Sequence, residues 1–238
     1  MGKKYEVDEN FFINWRPEMA YVLGYFYADG SMEDASYIRG KYIRVSSVDK
    51  HTIFKIKNWL KSKHKIVIIR QQQGYKRKTR YLLRIGSHAL YQHLINFGLH
   101  PNKSLTIRFP TIPKKFLADF VRGYFDGDGC VYLYRGKGKK QKLIIKKLSV
   151  IFTSGSLRFL KNLCGVLRKE LHLKQSRVYK SKRSFQLRYS TDDSVKLFKF
   201  LYKNLRPELR LERKFDVFRN YFTLRKIRVD SKVRAILK

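Results

Sequence analysis

Two acidic residues, Asp29 and Asp128, stand at the ends of two similar apolar segments. The first segment ends in "LGYFYADGSM" (23–32) and the second in "RGYFDGDGCV" (122–131). A carboxylate at the C-terminal end of a helix is unfavourable because the helix dipole is negative there, and two neighbouring carboxylates raise each other's proton affinity. A divalent cation reverses both penalties, and a site with few hard oxygen ligands suits Mg²⁺. The pattern therefore predicts a shared metal site.

Small residues on the same two segments indicate how the acidic ends would meet. Ala20, Gly24 and Ala28 recur every four residues, and Gly123 and Gly127 do the same in the second segment. Such spacing places small residues on one helix face, where they let two helix backbones approach closely. We therefore expect the two helices to pack on each other across a pseudo-two-fold axis, with Gly24 and Gly123 at the interface.

The charge balance points to a polyanionic partner. The chain of 238 residues carries 54 Lys and Arg against 18 Asp and Glu, a net charge of +36, while 43% of its residues are hydrophobic. So large a positive charge on a chain able to fold is typical of nucleic-acid binding. Paired acidic ligands on a basic protein predict metal-assisted hydrolysis of phosphodiesters.

Other classes of protein find little support in the sequence. No apolar run reaches the length needed to span a bilayer, and the start of the chain lacks the apolar core of a secretory signal. Cys130 and Cys164 stand in unrelated settings, so no disulfide framework or CxxC zinc site is expected. The six His residues lack metal-ligand spacing. We expect an intracellular, reducing compartment, and the sequence does not distinguish a bacterial cytoplasm from an organelle.

The order of elements after each acidic motif repeats. Each half reads as helix, two strands, helix, two strands, helix, which is an α+β class. Asp49 and Ser156 stand at equivalent places as helix N-caps. The predicted strands and helices lie at 37–47, 66–85, 87–99, 142–154, 176–189 and 191–205.

The junction between the halves is "FPTIPKKF" (109–116), whose prolines disfavour a continuous helix. We therefore expect a first repeat at 1–108, a linker at 109–113 and a second repeat at 114–238 that includes a basic C-terminal tail.

The two motifs resemble a known family. "VLGYFYADG" (22–30) and "VRGYFDGDG" (121–129) are similar to the two signatures of the LAGLIDADG homing endonucleases, and the junction before the second motif is similar as well. The resemblance covers residues 17 to 222. It implies a single-chain, pseudo-symmetric pair of αββαββα repeats whose antiparallel sheets form a DNA-binding saddle. It also implies a monomeric enzyme that makes a Mg²⁺-dependent double-strand break in a long DNA target and leaves short 3′ overhangs. Such an enzyme is expected to be intron-encoded, although the sequence does not distinguish this from a free-standing gene.

The resemblance assigns the metal ligands. The acidic ligands fall on Asp29 and Asp128, and the backbone carbonyls of Ala28 and Gly127 would join the metal shell. Mn²⁺ or Ca²⁺ could replace Mg²⁺ for binding. Asp126 points away from the face of Asp128, because a helix turns by about 100° per residue, and is expected to be structural.

The family also places a basic residue from each half near the scissile phosphates. Lys103 in "PNKS" and Lys214 in "LERKF" follow the third helix of each repeat. Each is expected to polarise the attacking water or to stabilise charge on the phosphate. The other reading is that either lysine is an ordinary solvated or phosphate-contacting side chain.

Strand alternation predicts a surface that contacts DNA. Arg80 and Arg84 face away from the apolar side of their strand, and Gln186 and Arg188 do the same. Lys147 and Ser149 are expected to point outward from another strand. The strand surfaces suit base edges, whereas the hairpin tips suit phosphates. The predicted DNA-binding residues are Arg44, Lys76, Arg77, Arg80, Arg84, Lys137, Lys139, Lys140, Lys147, Lys180, Lys182, Gln186 and Arg188.

Two other functions remain open on this fold. A basic sheet also binds RNA, so the chain could be an intron maturase, with intron RNA as its partner. An inactive transcriptional regulator is a third reading, but it would need degenerate acidic positions. The intact Asp29 and Asp128 favour cleavage, because binding alone has no use for them.

Overall fold

Two copies of one arrangement, helix, two strands, helix, two strands, helix, form most of the chain. The computed structural model describes residues 5–73, 76–137, 143–174, 177–203, 206–225 and 230–237. The first copy consists of α1 (Pro17–Asp29), β1 (Gly30–Ala35), β2 (Gly40–Ser47), α2 (Lys50–Trp59), β3 (Ile66–Gln73), β4 (Lys76–Gly86) and α3 (His88–Asn96). The second consists of α4 (Leu117–Asp128), β5 (Gly129–Lys137), β6 (Leu143–Ser154), α5 (Leu157–Leu171), β7 (Val178–Lys180), β8 (Phe185–Tyr189) and α6 (Thr191–Tyr202). The predicted repeat of elements is confirmed.

Each copy contains one four-stranded antiparallel sheet. The strand orders are β1-β2-β4-β3 and β5-β6-β8-β7, so the two sheets share one topology. One face of each sheet is apolar and buried: Ile43 and Leu83 in the first sheet and Val150 and Leu187 in the second are all 0% exposed. Alternation along antiparallel strands leaves the other face of each sheet for polar side chains.

Side-chain caps fix the start of the helices that follow the central strands. The Asp49 carboxylate accepts from the backbone N–H of Thr52 at 3.2 Å at the start of α2. The Ser156 hydroxyl accepts from the N–H of Phe159 at 3.1 Å at the start of α5. Each bond satisfies an N–H that has no partner within its helix. The two predicted N-caps are therefore confirmed.

The chain divides into two units that exchange short segments. The first unit comprises Met1–Lys103 and Pro110–Gly127, and the second comprises Ser104–Phe109 and Asp128–Lys238. Nearly all of α4 therefore belongs to the first unit with α1, although it opens the second repeat in sequence. The strands that follow the two helices belong to different units.

Two further helices, α7 (Glu212–Leu224) and α8 (Ser231–Leu237), follow the second copy. Val233 and Ile236 of α8 are buried, and Lys199 of α6 forms an ion pair with Asp230 at the start of α8. The end of the chain therefore packs on the second unit. Among the described residues, no helix has both the length and the apolar character that a bilayer crossing demands.

Candidate metal centre and nucleic-acid interface

Helices α1 and α4 pack with their backbones in contact. A Cβ atom built on Gly24 would lie 2.0 Å from the carbonyl oxygen of Phe120, and one on Gly123 would lie 2.0 Å from that of Tyr21. Any side chain at either glycine would force the helices apart, because such distances are far below van der Waals contact. The expected small-residue contact between the two segments is present within the first unit.

The same pair of helices makes reciprocal side-chain contacts. The Tyr21 hydroxyl of α1 donates to the Asp126 carboxylate of α4 at 2.8 Å, and Phe120 of α4 packs edge-on against Tyr27 of α1 at 5.3 Å between ring centroids. Tyr21 aligns with Phe120 in the two motifs, and Tyr27 aligns with Asp126. Residues that exchange roles in this way indicate local two-fold pseudo-symmetry between α1 and α4.

Asp126 lies in the interior of this helix pair. It is 1% exposed, as is Arg122 one turn earlier, and Arg122 forms an ion pair with Asp119. Burial, to which the nearby Asp126 carboxylate adds, raises the pKa of Tyr21 well above its usual value. These contacts agree with the expectation that Asp126 is structural.

Tyr27 occupies the motif position at which the family name has an acid. Its hydroxyl donates to the carbonyl oxygen of Phe97, and burial raises its pKa. Tyr27 therefore ties α1 to the end of α3 in the neutral form, and it supplies no charge to the helix end.

The ends of the two helices lie side by side. A Cβ atom on Gly127 would lie 2.4 Å from the Cβ of Ala28 and 3.3 Å from the Asp29 carboxylate oxygen Oδ2. Gly127 precedes Asp128 in the sequence, as Ala28 precedes Asp29. The structure therefore brings the Asp29 side chain to the last turn of α4 and leaves room there only for a glycine.

Gly30 ends α1 through a close contact with the last turn rather than through a left-handed backbone. Its backbone is extended, with φ −80° and ψ 153°, so the left-handed conformation that favours glycine is not used. A Cβ atom there would lie 2.6 Å from the ring and from the carbonyl oxygen of Phe26. Close approach of the chain to the last turn of α1 requires glycine at this position.

Lys103 reaches the end of α1 from the short 3₁₀ turn Lys103–Leu105. The residue is 6% exposed. Its ammonium donates to the carbonyl oxygen of Tyr27 at 2.8 Å and lies 3.4 Å from that of Ala28. The last carbonyls of a helix have no partner within it and carry partial negative charge, which stabilises a cation. The predicted lysine therefore contacts the two residues that directly precede Asp29.

Lys214 holds a comparable place in the second unit. It lies in the first turn of α7, is 4% exposed, and donates to the carbonyl oxygen of Gly129 at 2.6 Å. Gly129 directly follows Asp128. Both predicted lysines are thus buried beside the carbonyl groups that flank the two acidic residues, although Lys103 contacts the residues before Asp29 and Lys214 contacts the residue after Asp128.

The donor set at the helix ends fits a hard divalent cation. It consists of carboxylate and backbone carbonyl oxygens, and the last turn of α1 contributes carbonyls that the helix itself does not use. In the part of the chain that the structure describes, no three His, Cys, Asp or Glu side chains form a cluster able to hold a metal ion. The predicted ligands Asp29, Asp128, Ala28 and Gly127 remain a prediction.

The outer face of the first sheet carries two linked arginines. Arg84 donates through Nε and Nη2 to the two oxygens of Glu33 at 3.3 and 3.1 Å, and Arg44 lies 3.6 Å from the same carboxylate. The Arg84 guanidinium also stacks on Tyr42, 3.4 Å from the ring centroid. Arg80, also on this face, lies 3.5 Å from the Ser46 hydroxyl. Sequence reasoning missed Glu33. Its position in β1, next to the strand that carries Arg44, could have indicated this contact.

The outer face of the second sheet is less charged. Arg188 donates through Nε and Nη2 to the Gln186 side-chain oxygen at 2.9 and 2.6 Å. Sequence reasoning missed three large side chains on strands of this sheet, Tyr132, Tyr134 and Tyr179, which are 42%, 56% and 43% exposed. Polar and aromatic side chains together suit contacts with bases.

A β-bulge alters the alternation along β6. The register with β5 shifts between Tyr134 and Arg135, so Lys146 and Lys147 are both exposed while the residues that flank them are buried. Lys147 therefore points outward as predicted. Ser149 lies on the same face as Lys147, opposite Tyr132 in the register, but it is only 3% exposed and so offers little surface to a base.

The hairpin tips are described in part. Lys137, Lys180 and Lys182 are exposed, as expected for phosphate contacts. Lys139 and Lys140 lie outside the described residues, and so do the side chains of Lys76 and Arg77.

Comparisons with known proteins place the fold. Residues 115–201 match the LAGLIDADG-like domain family. An uncharacterized protein of Methanocaldococcus jannaschii, MJ0398, is 27% identical over 115 residues, which are 48% of this chain and 40% of that protein. The match thus spans less than half of the length of that relative.

Solved structures extend the likeness to nearly the whole chain. The homing endonuclease I-WcaI bound to its DNA recognition sequence has a TM-score of 0.60, with 12% identity over 87% of this chain and 90% of that one. The LAGLIDADG meganuclease I-AabMI bound to uncleaved DNA has a TM-score of 0.56, with 16% identity over 93% and 96%. I-SmaMI bound to an uncleaved DNA target in the presence of calcium ions has a TM-score of 0.57, with 13% identity over 94% and 98%. The chain has the α+β, two-repeat fold of the LAGLIDADG homing endonucleases, which confirms the predicted resemblance.

Proposed function

We propose that this protein is a site-specific DNA endonuclease that uses Mg²⁺ to break both strands of a long duplex target, leaving short 3′ overhangs. The observation that carries the proposal is the meeting of the two motif helices. The Asp29 carboxylate lies against the last turn of α4, 3.3 Å from the position of a Cβ on Gly127. A binding protein has no need to bring an acidic residue to that place, where the helix dipole opposes it.

The carboxylates of Asp29 and Asp128 and the carbonyls of Ala28 and Gly127 would hold the cation. Bound there, Mg²⁺ would supply charge stabilisation for the phosphate oxygens and lower the pKa of water. The chain itself contributes a fixed position for the ligands, because the Gly24 and Gly123 contacts lock α1 against α4. Ca²⁺ would support binding, in line with the calcium ions present with I-SmaMI.

Lys103 and Lys214 are proposed to act beside the two acidic residues. Each ammonium is buried and held by a carbonyl oxygen next to a predicted metal ligand. A buried cation interacts more strongly with a phosphate than an exposed one, because solvent screens it less. The lysines would orient water or stabilise the negative charge that develops on the phosphate, one for each strand.

The outer faces of the two sheets are proposed to bind the target. Both present arginines held in place by side-chain acceptors, which suits contact with base edges. The net charge of +36 supplies the attraction to phosphates. Relatives of this fold bound to DNA support duplex DNA as the partner. We further propose that the protein acts as a monomer encoded within an intron, in an intracellular reducing compartment.

The test uses the full-length chain. Duplexes that the protein binds in Ca²⁺ are selected from a randomised library, then incubated with Mg²⁺, and the ends are sequenced. We expect both strands of one enriched sequence to be cut at a fixed stagger. An enriched duplex that stays intact in Mg²⁺ and Mn²⁺ would contradict the nuclease proposal. Tighter binding of structured intron RNA than of any duplex would instead favour a maturase.

A further inference from the structure

One row of side chains crosses three strands on the outer face of the first sheet. Ser31, Arg44 and Arg84 lie opposite one another in the register of β1, β2 and β4. Ile43 and Val45, the neighbours of Arg44 along β2, are buried at 0% and 1% exposure. The row therefore points out of the core, since successive residues of a strand face opposite sides.

The second sheet has the equivalent row. Cys130, Ile151 and Arg188 lie opposite one another in β5, β6 and β8. Val150 and Phe152, the neighbours of Ile151, are both 0% exposed. Arg188 therefore corresponds to Arg84, whereas Ile151 corresponds to Arg44.

Both rows lie close to the predicted metal ligands. Ser31 follows Asp29 by two residues, and Cys130 follows Asp128 by two residues. Two residues of extended chain span about 7 Å. Each row therefore lies close to the bond that the proposed nuclease would cut on its side of the target.

Arg84 and Arg188 are held in the same manner. Each donates through Nε and Nη2 to a side-chain acceptor of its own sheet, Glu33 for Arg84 and Gln186 for Arg188. These bonds use one edge of the guanidinium. The edge formed by Nη1 and Nη2 matches the O6 and N7 acceptors of guanine, which is the commonest specific contact in a major groove.

The middle position of the row differs between the sheets. Arg44 is 42% exposed in its side chain, and its Nε donates to the Ser31 hydroxyl at 3.3 Å. Ile151 is half-buried and has no polar atom in its side chain. An arginine at this place favours guanine, whereas an aliphatic side chain favours the methyl group of thymine.

We propose that the two half-sites of the target share one guanine and differ at its neighbour. Arg84 and Arg188 read guanines at corresponding positions. Arg44 reads a second guanine in the half bound by the first sheet, and Ile151 reads a thymine in the half bound by the second sheet. This inference rests on the proposed function, because it requires a duplex target on these faces.

Exchanging the middle residues tests the assignment. The full-length chain, Arg44→Ile and Ile151→Arg are each used to select duplexes from a randomised library in Ca²⁺, where binding is measured without cleavage. Arg44→Ile should lower the guanine preference at one position by about tenfold, the effect of one good base contact. Ile151→Arg should add a guanine preference of similar size in the other half.

A second variant guards against a general loss of structure. Arg44→Gln should change the preferred base from guanine to adenine while the rest of the selected site stays the same, because Gln pairs with adenine. Lys180→Ala, an exposed lysine off the row, should weaken binding to all sequences alike. The inference is overturned if neither Arg44 variant alters the base preference or if Ile151→Arg adds none.

The inference and the proposed function can fail separately. Sequence-specific binding with the expected exchanges, but without cleavage in Mg²⁺, supports the base assignment and contradicts only the nuclease. Cleavage of a site whose central bases do not respond to these substitutions contradicts the base assignment alone. Absence of any sequence preference overturns both.

Discussion

Gly24 of α1 and Gly123 of α4 make equivalent contacts, each with the backbone of the other helix. A Cβ on Gly24 would lie 2.0 Å from the carbonyl oxygen of Phe120, and a Cβ on Gly123 would lie 2.0 Å from that of Tyr21. Each oxygen belongs to backbone within a helix, so it cannot rotate away as a side chain would. The close approach of α1 and α4, on which the position of Asp29 depends, therefore requires both glycines.

Replacing either glycine by alanine should destabilise the protein. Gly24→Ala and Gly123→Ala force backbone apart in a packed interface, and overpacking of this kind costs up to about 3 kcal/mol. A loss of that size lowers the melting temperature of a chain of this length by about 6–12 °C. Thermal unfolding followed by circular dichroism measures the change.

The matched control is Gly165→Ala in the middle of α5. Apart from its chain neighbours and the nearby backbone of α5, none of the described residues has a heavy atom within 4 Å of the Cβ that this substitution adds, and alanine is favoured over glycine within a helix by about 0.5–1 kcal/mol. Gly165→Ala should therefore raise the melting temperature slightly. Equal effects at Gly24 and Gly165 would show that the helix contact is looser than the structure has it.

The sequence predicts the repeats because its patterns are local. Helical spacing, turn positions and the caps Asp49 and Ser156 depend on residues near one another in the chain, and all are present in the structure. Alternation predicts the face on which Ser149 lies but not its burial, because exposure on that face depends on the side chains of neighbouring strands.

The sequence predicts the candidate site less completely. The positions of Asp29 and the two lysines follow from the motifs and the family resemblance. The burial of Lys103 and Lys214, and the carbonyl groups that they contact, depend on loops that bring distant residues to the helix ends. The pair Tyr21 and Asp126 is likewise set by helix packing, which no local pattern encodes.

Neutralising either proposed metal ligand should stop cleavage and preserve binding. Asp29→Asn and Asp128→Asn keep the size of the side chain but remove the charge that holds a divalent cation. We expect the cleavage rate in Mg²⁺ to fall at least a hundredfold, while affinity for the target in EDTA is unchanged or higher because one negative charge is lost. Single-turnover cleavage and filter binding measure the two quantities.

The matched control for this pair is Asp34→Asn. Asp34 is exposed and forms an ion pair with Lys41, away from the helix ends. The Asp34→Asn variant should cleave the target at the same rate as the parent protein. If Asp29→Asn also cleaves at the parental rate, the assignment of Asp29 as a metal ligand is wrong.

Removing either buried ammonium should slow cleavage more than removing an exposed one. Lys103→Met and Lys214→Met keep much of the side-chain volume but lose a charge next to Asp29 or Asp128. Loss of one such donor to a reacting phosphate costs about a hundredfold or more in rate. Lys180→Ala, at an exposed hairpin lysine, and Lys139→Ala, at a position that the sequence predicts to be a hairpin tip, should mainly weaken binding and reduce its salt dependence. Similar rate losses in all four variants, measured at saturating protein, would reduce Lys103 and Lys214 to phosphate contacts.

The hydrogen bond between Tyr21 and Asp126 should contribute to stability. Tyr21→Phe leaves the Asp126 carboxylate, which is 1% exposed, without the 2.8 Å bond from the hydroxyl. Loss of one partner of a buried polar group costs about 1–3 kcal/mol. Urea unfolding should show this loss, whereas Tyr37→Phe at a position 85% exposed should not alter the transition. Identical transitions for the two variants would contradict a structural role for the bond.

Target DNA should protect Cys130 from alkylation. Cys130 is exposed and lies in the same row as Arg188 on the outer face of the second sheet, whereas Cys164 is buried and burial raises the pKa of its thiol. A maleimide should therefore modify Cys130 alone in the native protein, and mass spectrometry identifies the site. Saturating target duplex in Ca²⁺ should slow this reaction at least tenfold, because a bound base pair would cover the thiol. An unrelated duplex at a salt concentration that permits only specific binding should leave the rate unchanged. Unprotected Cys130 in the specific complex would mean that the target does not lie on this face of the second sheet.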